Sequence, residues 1–502
     1  MKVLMVYPDI RGPLRVSRKG YFYNGLACIA AVLKRSGHDV RLLHYLSAPP
    51  RDRFEADLLH DPPDLVAYSA TTNLFPFVQT WSRWCRERIP DALQICGGVH
   101  PTLYWRESLL TSELDAVCVG EGEWPMIELC DHLERGGCAY PAVANLTFLE
   151  RGGVMHHHAP RPRMNSTELD SMPFADRSLF SPDKLCEPDR PILIASRGCP
   201  YDCAYCCNRA LLRVLGNSSP VRIRSVDNVI GEIKYIRESL PHVTAIHFDD
   251  DIFGLRPSWM REFARRYSAE VNLPFSCNVR PNLASHEMVQ LLAGAGCAEV
   301  AMGVETGDCR LRRTLLRRDI DNQLLAEAFR RFERAGIRTH SFNMVGVPHE
   351  TMENSLETIK LNAALKKRWR MHELRVSILY PYAGTPIFDE ARAHGMLTSR
   401  NVTYYADDTV LDLDTMTGTQ VRFVARYFRL LVLAYSRFLH DLGIPGRTFS
   451  KLLDRILLSQ FAGRYLFPIA NALYPWALRG VRWWKSYEKR VPRGRVELAT
   501  QS

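Results

Sequence analysis

The sequence predicts an α/β protein: a doubly wound parallel sheet, six further βα units, and a helical C-terminal extension. Three observations predict it. Short apolar runs alternate with helix-length stretches from residue 1 to about 140, and again from about 191 to 397. Between the two series, residues 141–190 read as a connector, a hairpin followed by a Pro-containing linker. After about Thr398, long helical patterns replace the strands. At 502 residues the chain has material for two or three cores.

In the first series, Lys2-Val-Leu-Met-Val-Tyr7 reads as a strand. Gly25 to Gly37 reads as a helix with Leu26, Ile29, Ala30 and Leu33 on one face and a Gly at its C-cap. Val40 to His44, Asp64 to Ser69, Ala92 to Cys96 and Ala116 to Val119 complete an expected five-stranded Rossmann-like sheet. Ligands in such sheets sit beyond the carboxyl ends of the strands. There lie Ser69 and Thr71 in Ser69-Ala-Thr-Thr72, Gly97 and Gly98 in Gly97-Gly-Val-His-Pro101, and Gly120 and Glu121 in Gly120-Glu-Gly-Glu123. In the connector, Leu146 to Leu149 and Val154-Met155 suggest an exposed hairpin arm. Its adjacent His156, His157 and His158 alternate faces and cannot converge on one ion.

The second series begins at Pro191-Ile-Leu-Ile-Ala-Ser196 and continues with Ala245 to Phe248, Phe275 to Val279, Glu299 to Met302, Thr339 to Val345 and Leu374 to Leu379. Amphipathic helices such as Asn322 to Ala335 lie between these strands. Directly after its first strand stands R-G-C-P-Y-D-C-A-Y-C, with Cys199, Cys203 and Cys206. Three thiolates at this spacing suit a 4Fe–4S cluster with one iron free of protein ligands, on which a substrate or cofactor can bind. Zinc would need a fourth ligand, and Cys207, bonded directly to Cys206, is poorly placed to be one. Cys207 is read as a neighbour. Cys28, Cys96, Cys118 and Cys297, among apolar residues, read as buried thiols.

The cysteine run closely resembles the radical S-adenosylmethionine (radical SAM) signature. The resemblance implies a partial (β/α)6 barrel, SAM bound on the open iron, and cleavage of SAM to a 5′-deoxyadenosyl radical. It also implies a low-potential electron donor of flavodoxin or ferredoxin type. Tyr205 then lies near the adenine. Asp250, in Asp249-Asp-Asp251, stands where the family contacts the methionine amino group, although the usual G-G-E is absent. Glu305, in Gly303-Val-Glu-Thr-Gly307, resembles the residue that holds the ribose hydroxyls, and Gly346, in Gly346-Val-Pro-His-Glu350, the backbone contact to adenine. Asp249 and Asp251 read equally well as helix N-caps.

The first series resembles the cobalamin-binding domain fused to many radical SAM enzymes, whose Ser-containing and Gly-Gly loops surround the nucleotide tail. It departs from other cobalamin proteins in one respect. The D-x-H-x-x-G loop is missing, and the first histidine is His38, at the far end of a helix. A bound cobalamin is therefore expected to lack a histidine on cobalt. The whole resembles the group containing the anaerobic magnesium-protoporphyrin cyclase and many carbon or phosphorus methyltransferases. This implies methylation of an unactivated carbon or phosphorus in a small-molecule or lipid-like intermediate. Non-methylating radical oxidation, cyclisation or rearrangement stands as the alternative, and a cobalamin or redox sensor as a second.

Composition bounds the surroundings. No run has the 18 or so uncharged apolar residues of a spanning helix, and Met1 to Tyr7 is too short for a signal peptide. Fourteen scattered cysteines suit a reducing cytoplasm. The net charge of +10 is concentrated from Gln420 onward, with 15 Lys and Arg against 4 Asp and Glu. Helices there are expected to cover the barrel mouth. The alternatives are peripheral contact with a membrane through Trp476, Trp483 and Trp484 beside basic residues, or, least favoured, nucleic acid.

Overall fold

The computed structural model describes residues 1–11, 19–137, 140–216, 220–240, 242–366, 372–400, 402–404, 407–440 and 443–476. Five parallel strands form the first sheet: β1 (Lys2–Pro8), β2 (Asp39–Tyr45), β3 (Leu65–Ser69), β4 (Leu93–Gly97) and β5 (Ala116–Cys118). Every residue of β3 is buried, as a central strand covered on both faces requires. Helix α1 (Asn24–Arg35) buries Leu26, Ala27, Ala30 and Leu33 against one face, and Gly37 follows it in a left-handed conformation. α2 (Glu123–Glu134) packs beside α1.

The connector hairpin is not an arm. Its strands β6 (Leu146–Leu149) and β7 (Met155–His157) extend the sheet antiparallel, giving the order β2-β1-β3-β4-β5-β6-β7. β5 is only three residues long, and its outer edge would stay unpaired without Phe148 opposite Ala116. Leu146 and Phe148 are fully buried there. The neighbouring histidines do diverge: His156 meets Glu150 at 2.5 Å, while His157 bonds the Thr147 hydroxyl at 2.8 Å.

Six parallel strands make the second sheet: β8 (Ile192–Leu193), β9 (Ile246–Phe248), β10 (Phe275–Asn278), β11 (Cys297–Glu305), β12 (Arg338–Val345) and β13 (His372–Ile378). β8 and β13 are the two edges, so the barrel is open. β8 is shorter than the sequence suggests because Ser196 and Arg197 leave the sheet to pair antiparallel with Ile223 and Arg222. One face of the strands is apolar, with Leu193, Phe248, Phe275, Val300 and Met302 buried under the surrounding helices. Side chains of the opposite parity, including His247, Ser276, Asn278, Glu299 and His340, line a cavity of about 920 Å³.

Helix α3 (Cys207–Leu215) follows the cysteine loop, and α4 (Met352–Leu365) follows β12. The C-terminal helices α5 (Gly418–His440) and α6 (Gly443–Leu457) do not cap the barrel mouth. α5 lays Val421, Val424, Phe428, Val432 and Tyr435 against α4, Val345 and Ile378, on the outside of the last two strands. A helix at an exposed barrel edge buries more apolar surface than a lid over polar loops would. Trp483, Trp484 and the basic residues beside them lie outside the described residues.

Candidate active site

The cysteine loop sits at the carboxyl end of β8. Gly198 has φ +92°, and a Cβ there would strike the carbonyl of Pro220, so only glycine fits before Cys199. Cys199 and Cys203 are buried and Cys206 half-buried. Burial pushes the Cys199 thiol up to about 12. Cys206 is the N-cap of α3, directly before Cys207 at its first position. The Arg280 guanidinium points a hydrogen at Cys203 Sγ (3.4 Å), lies over the Tyr201 ring at 3.7 Å, and leaves its buried Nε without a partner. A cation so placed offsets the negative charge of clustered thiolates, which fits an iron–sulfur group held by Cys199, Cys203 and Cys206.

Across the barrel mouth stands a trio of the half-buried Tyr205 and the buried Glu305 and Arg318. The Tyr205 hydroxyl donates to Glu305 Oε1 (2.9 Å), while Arg318 reaches Tyr205 (3.1 Å), Glu305 (3.3 Å) and the Gly303 carbonyl (2.9 Å). Glu305 ends β11 at a register shift with φ +66°, a conformation that a non-glycine residue holds only where its surroundings enforce it. A Cβ on Gly303 would collide with the Glu305 carboxylate, so the first glycine of the motif clears room for its acid. Burial, followed by Glu305, raises the Tyr205 hydroxyl well above its ordinary value, so it stays a donor.

Asp250 is placed differently from its sequence reading. Its carboxylate faces inward, accepting from Ala195 N (3.0 Å) and Ser196 Oγ (2.5 Å), and burial pushes it up to about 7. It pins the strand end that launches the cysteine loop. Asp249 and Asp251 instead line open space, Asp251 bonded to Asn208. Gly346, at φ +75°, gives its amide to Glu350 (2.6 Å), which also accepts from Val347 N (3.2 Å) and Ser355 Oγ (2.6 Å).

Desolvation pushes the fully buried Glu350 up to about 7. The folded state therefore holds this proton more tightly than the unfolded chain, so the group's contribution is complete below the unfolded value and lost as pH rises through about 7. Glu350→Gln mimics the neutral acid. Between about pH 5 and pH 8 it is expected to gain stability relative to the parent by up to about 3 kcal/mol, at about 1.4 kcal/mol per tenfold change in proton affinity. Urea midpoints at the two pH values check this; a difference that does not move with pH overturns it.

At the carboxyl end of the first sheet, Ser69, Gly97, Gly98, Gly120 and Glu121 border a second cavity of about 560 Å³. Gly98, at φ +101°, leaves no room for a Cβ, which would stand 2.9 Å from the Ala70 carbonyl. Thr71 does not line this cavity; its hydroxyl donates to Asn73 at 2.7 Å. The opposite wall belongs to the barrel, with Cys207, Asn208, Leu211, Asp249 and Asp251. Phe22, Tyr23, Ile192 and Asp249 line both cavities, so this space adjoins the barrel interior across a shared wall. The glycine cradle and the apolar wall suit a flat, bulky group such as cobalamin, and among the described lining residues there is no histidine.

Glu121 has a second occupation. It accepts from Arg222 (2.7 Å), Arg197 (3.1 Å) and Met164 N (3.1 Å), while Glu123 accepts from Arg197 at 2.6 Å. Burial alone would raise Glu121, but the two guanidinium groups hold it below the usual carboxylate range. The G-E-G-E loop thus clasps the residue two positions before Cys199. Sequence reasoning missed Arg197, Arg222, Arg280 and Arg318. Only Arg197, inside the R-G-C run, carried a local signal.

Residues 193–361 match the family model of the radical SAM superfamily, and residues 15–129 that of the B12 binding domain. The chain is 26% identical over 470 residues to the uncharacterized methyltransferase PH0819 of Pyrococcus horikoshii, covering 90% of this chain and 98% of that protein. The radical S-adenosylmethionine methyltransferase TsrM of Kitasatospora setae, with cobalamin and a [4Fe-4S] cluster bound, superposes with a TM-score of 0.61 at 18% identity, over 80% of this chain and 79% of its own. The cobalamin-dependent S-adenosylmethionine radical enzyme OxsB, with aqua-cobalamin and S-adenosylmethionine bound, gives 0.68 at 13% identity, over 100% and 82%. With an open barrel behind a Rossmann-like sheet, and a family match in each, the chain belongs to the radical SAM superfamily, in the branch that carries a B12 binding domain.

Proposed function

We propose that the protein transfers a methyl group to an unactivated carbon or phosphorus of a small-molecule or lipid-like intermediate. The observation that carries this is the cavity beside the barrel interior, walled on one side by the glycine loops of the first sheet and on the other by the helix leaving the cysteine loop. A relative named as a methyltransferase that aligns over nearly its whole length supports the reaction type. When bound, a 4Fe–4S cluster and SAM supply a carbon radical, and cobalamin supplies the methyl group.

The chain's own part is to hold and to exclude. Cys199, Cys203 and Cys206 hold the cluster, and Arg280 screens its charge. Glu305, fixed by Tyr205 and Arg318, keeps one carboxylate oxygen for the ribose hydroxyls of SAM. Because the Gly346 amide is already taken by Glu350, carbonyl oxygens of that turn make the adenine contact. Main-chain atoms of residues 249–251, rather than the Asp250 side chain, meet the methionine end. Ser69, Gly97, Gly98 and Gly120 border cobalamin, and Glu121 acts there through Arg197. Asp249, exposed where the cavities meet and 3.7 Å from His247 Nε2, is placed to receive a polar group of the substrate.

A flavodoxin- or ferredoxin-type donor reduces the cluster. The thirteen described cysteines are all free, which supports a reducing cytoplasmic setting.

Anaerobic turnover of the reconstituted protein is expected to give 5′-deoxyadenosine, S-adenosylhomocysteine and a methylated product. 5′-Deoxyadenosine without S-adenosylhomocysteine assigns the non-methylating chemistry, and neither product assigns a sensor. In the cob(II)alamin state, the electron paramagnetic resonance spectrum is expected to lack nitrogen splitting from a histidine ligand. Such splitting overturns the assignment of the cavity at the first sheet.

A further inference from the structure

The outer face of the C-terminal helices is built like a surface that rests on lipid. Phe461, Tyr465, Ile469, Leu473 and Trp476 recur every three or four residues from 461 to 476, and are 67, 49, 59, 58 and 68% exposed. Ala462, Phe467 and Asn471, on the other side of the same turns, are buried. The segment is apolar on both sides, and one whole apolar row is left facing out.

Charge accompanies it. On α6 the exposed Arg447, Lys451 and Arg455 form a ridge one turn apart, beside the exposed Phe449, Leu452 and Ile456. The one acid of α6, Asp454, is turned inward to Lys360 (2.6 Å) and the Tyr435 hydroxyl (2.7 Å). From Arg455 to Tyr487 the sequence contains no Asp or Glu, but five Lys and Arg and a further pair of tryptophans. A face for an acidic protein would need no apolar row of this length, and a face for nucleic acid would not put aliphatic Ile469 and Leu473 outermost. Aromatic rings with polar edges, aliphatic side chains and adjacent cations are what an anionic headgroup layer accepts.

We propose that the protein docks peripherally on anionic lipid through the apolar row 461–476, with the basic ridge of α6 lying against the headgroups. No described helix is long and apolar enough to cross a membrane, so contact is with one leaflet. The test is flotation of the full-length, cofactor-loaded protein with vesicles of phosphatidylcholine, alone or mixed equally with phosphatidylglycerol. Binding to the mixed vesicles alone, weakening with salt, is expected. Because each basic residue near such a surface is worth about a fivefold change in affinity, the double variant Lys451→Glu/Arg455→Glu is expected to weaken binding by at least about 25-fold. The triple variant Phe461→Ser/Ile469→Ser/Trp476→Ser is expected to lose it by at least about tenfold. All five side chains are exposed, and unchanged thermal melting shows the fold intact. Failure to bind mixed vesicles at low salt, equal binding to neutral vesicles, or variants that bind like the parent each overturn the proposal. So does self-association or RNA binding that the same variants abolish while vesicles are ignored.

Discussion

Alanine at any one of Cys199, Cys203 and Cys206 is expected to stop SAM cleavage while leaving cobalamin binding in place. A cluster deprived of one of three ligands loses both its anchorage and the geometry that keeps a single iron open. A drop in 5′-deoxyadenosine formation of at least about a thousandfold, some 4 kcal/mol in barrier terms, is the expected scale. Cobalamin should survive because the first-sheet loops that border its cavity, Ser69, Gly97, Gly98 and Gly120, do not include these thiols. Cys207→Ala is the internal control, with cleavage expected to persist. Iron content and product analysis under anaerobic conditions decide the matter; cleavage at parental rate in any of the three variants overturns the assignment.

Arg312 is expected to be the most costly single residue for stability. It is fully buried, and its guanidinium donates to Val304 O (3.2 Å), Ile320 O (2.8 Å), Asn322 Oδ1 (2.8 Å) and, by a short bond, the Thr306 carbonyl. From its own short helix, Cys309–Thr314, it therefore ties Val304 and Thr306, on either side of strained Glu305, to Ile320 and to Asn322 at the start of the following helix. Burial lowers its proton affinity, yet an arginine stays charged, and so large a desolvation cost is met only by the full set of acceptors. Arg312→Met leaves these acceptors unsatisfied and is expected to cost about 3–5 kcal/mol. Arg312→Lys cannot span the fork and should rescue little. Urea unfolding checks both; a Met variant within about 1 kcal/mol of the parent contradicts this account.

What was legible in the sequence was whatever neighbouring residues settle among themselves. The cysteine spacing and the short motif that carries Glu305 lie within single loops, and so were read before any fold was known, whereas the left-handed Gly198 and the room that Gly303 leaves for Glu305 emerged with the structure. The strands of both sheets were legible for the same reason, through their apolar runs. What could not be read were decisions made at a distance. Whether the hairpin at 146–157 hangs free depends on the unpaired edge of β5, and where α5 lies depends on the open edge at β13. Asp250 looked like its exposed neighbours until Ala195 and Ser196, 55 and 54 positions earlier, claimed its oxygens. Arg318 and Arg280 each stand in a run with no motif, and only the fold brings them to Tyr205 and Cys203.

The clasp of Glu121 and Glu123 on Arg197 gives the two cofactor loops a common fate. A ligand that displaced the first-sheet loop would move the carboxylates bonded to Arg197, two positions before Cys199, and the reverse would hold. Binding free energies in one molecule are reciprocal: the factor by which the first ligand changes the affinity for the second equals the factor by which the second changes the affinity for the first. Titrations of either cofactor should then shift with the concentration of the other, by one shared ratio. Charge-neutral substitution at Arg197 should bring that ratio to unity, turning a pair loaded in concert into two independent occupancies.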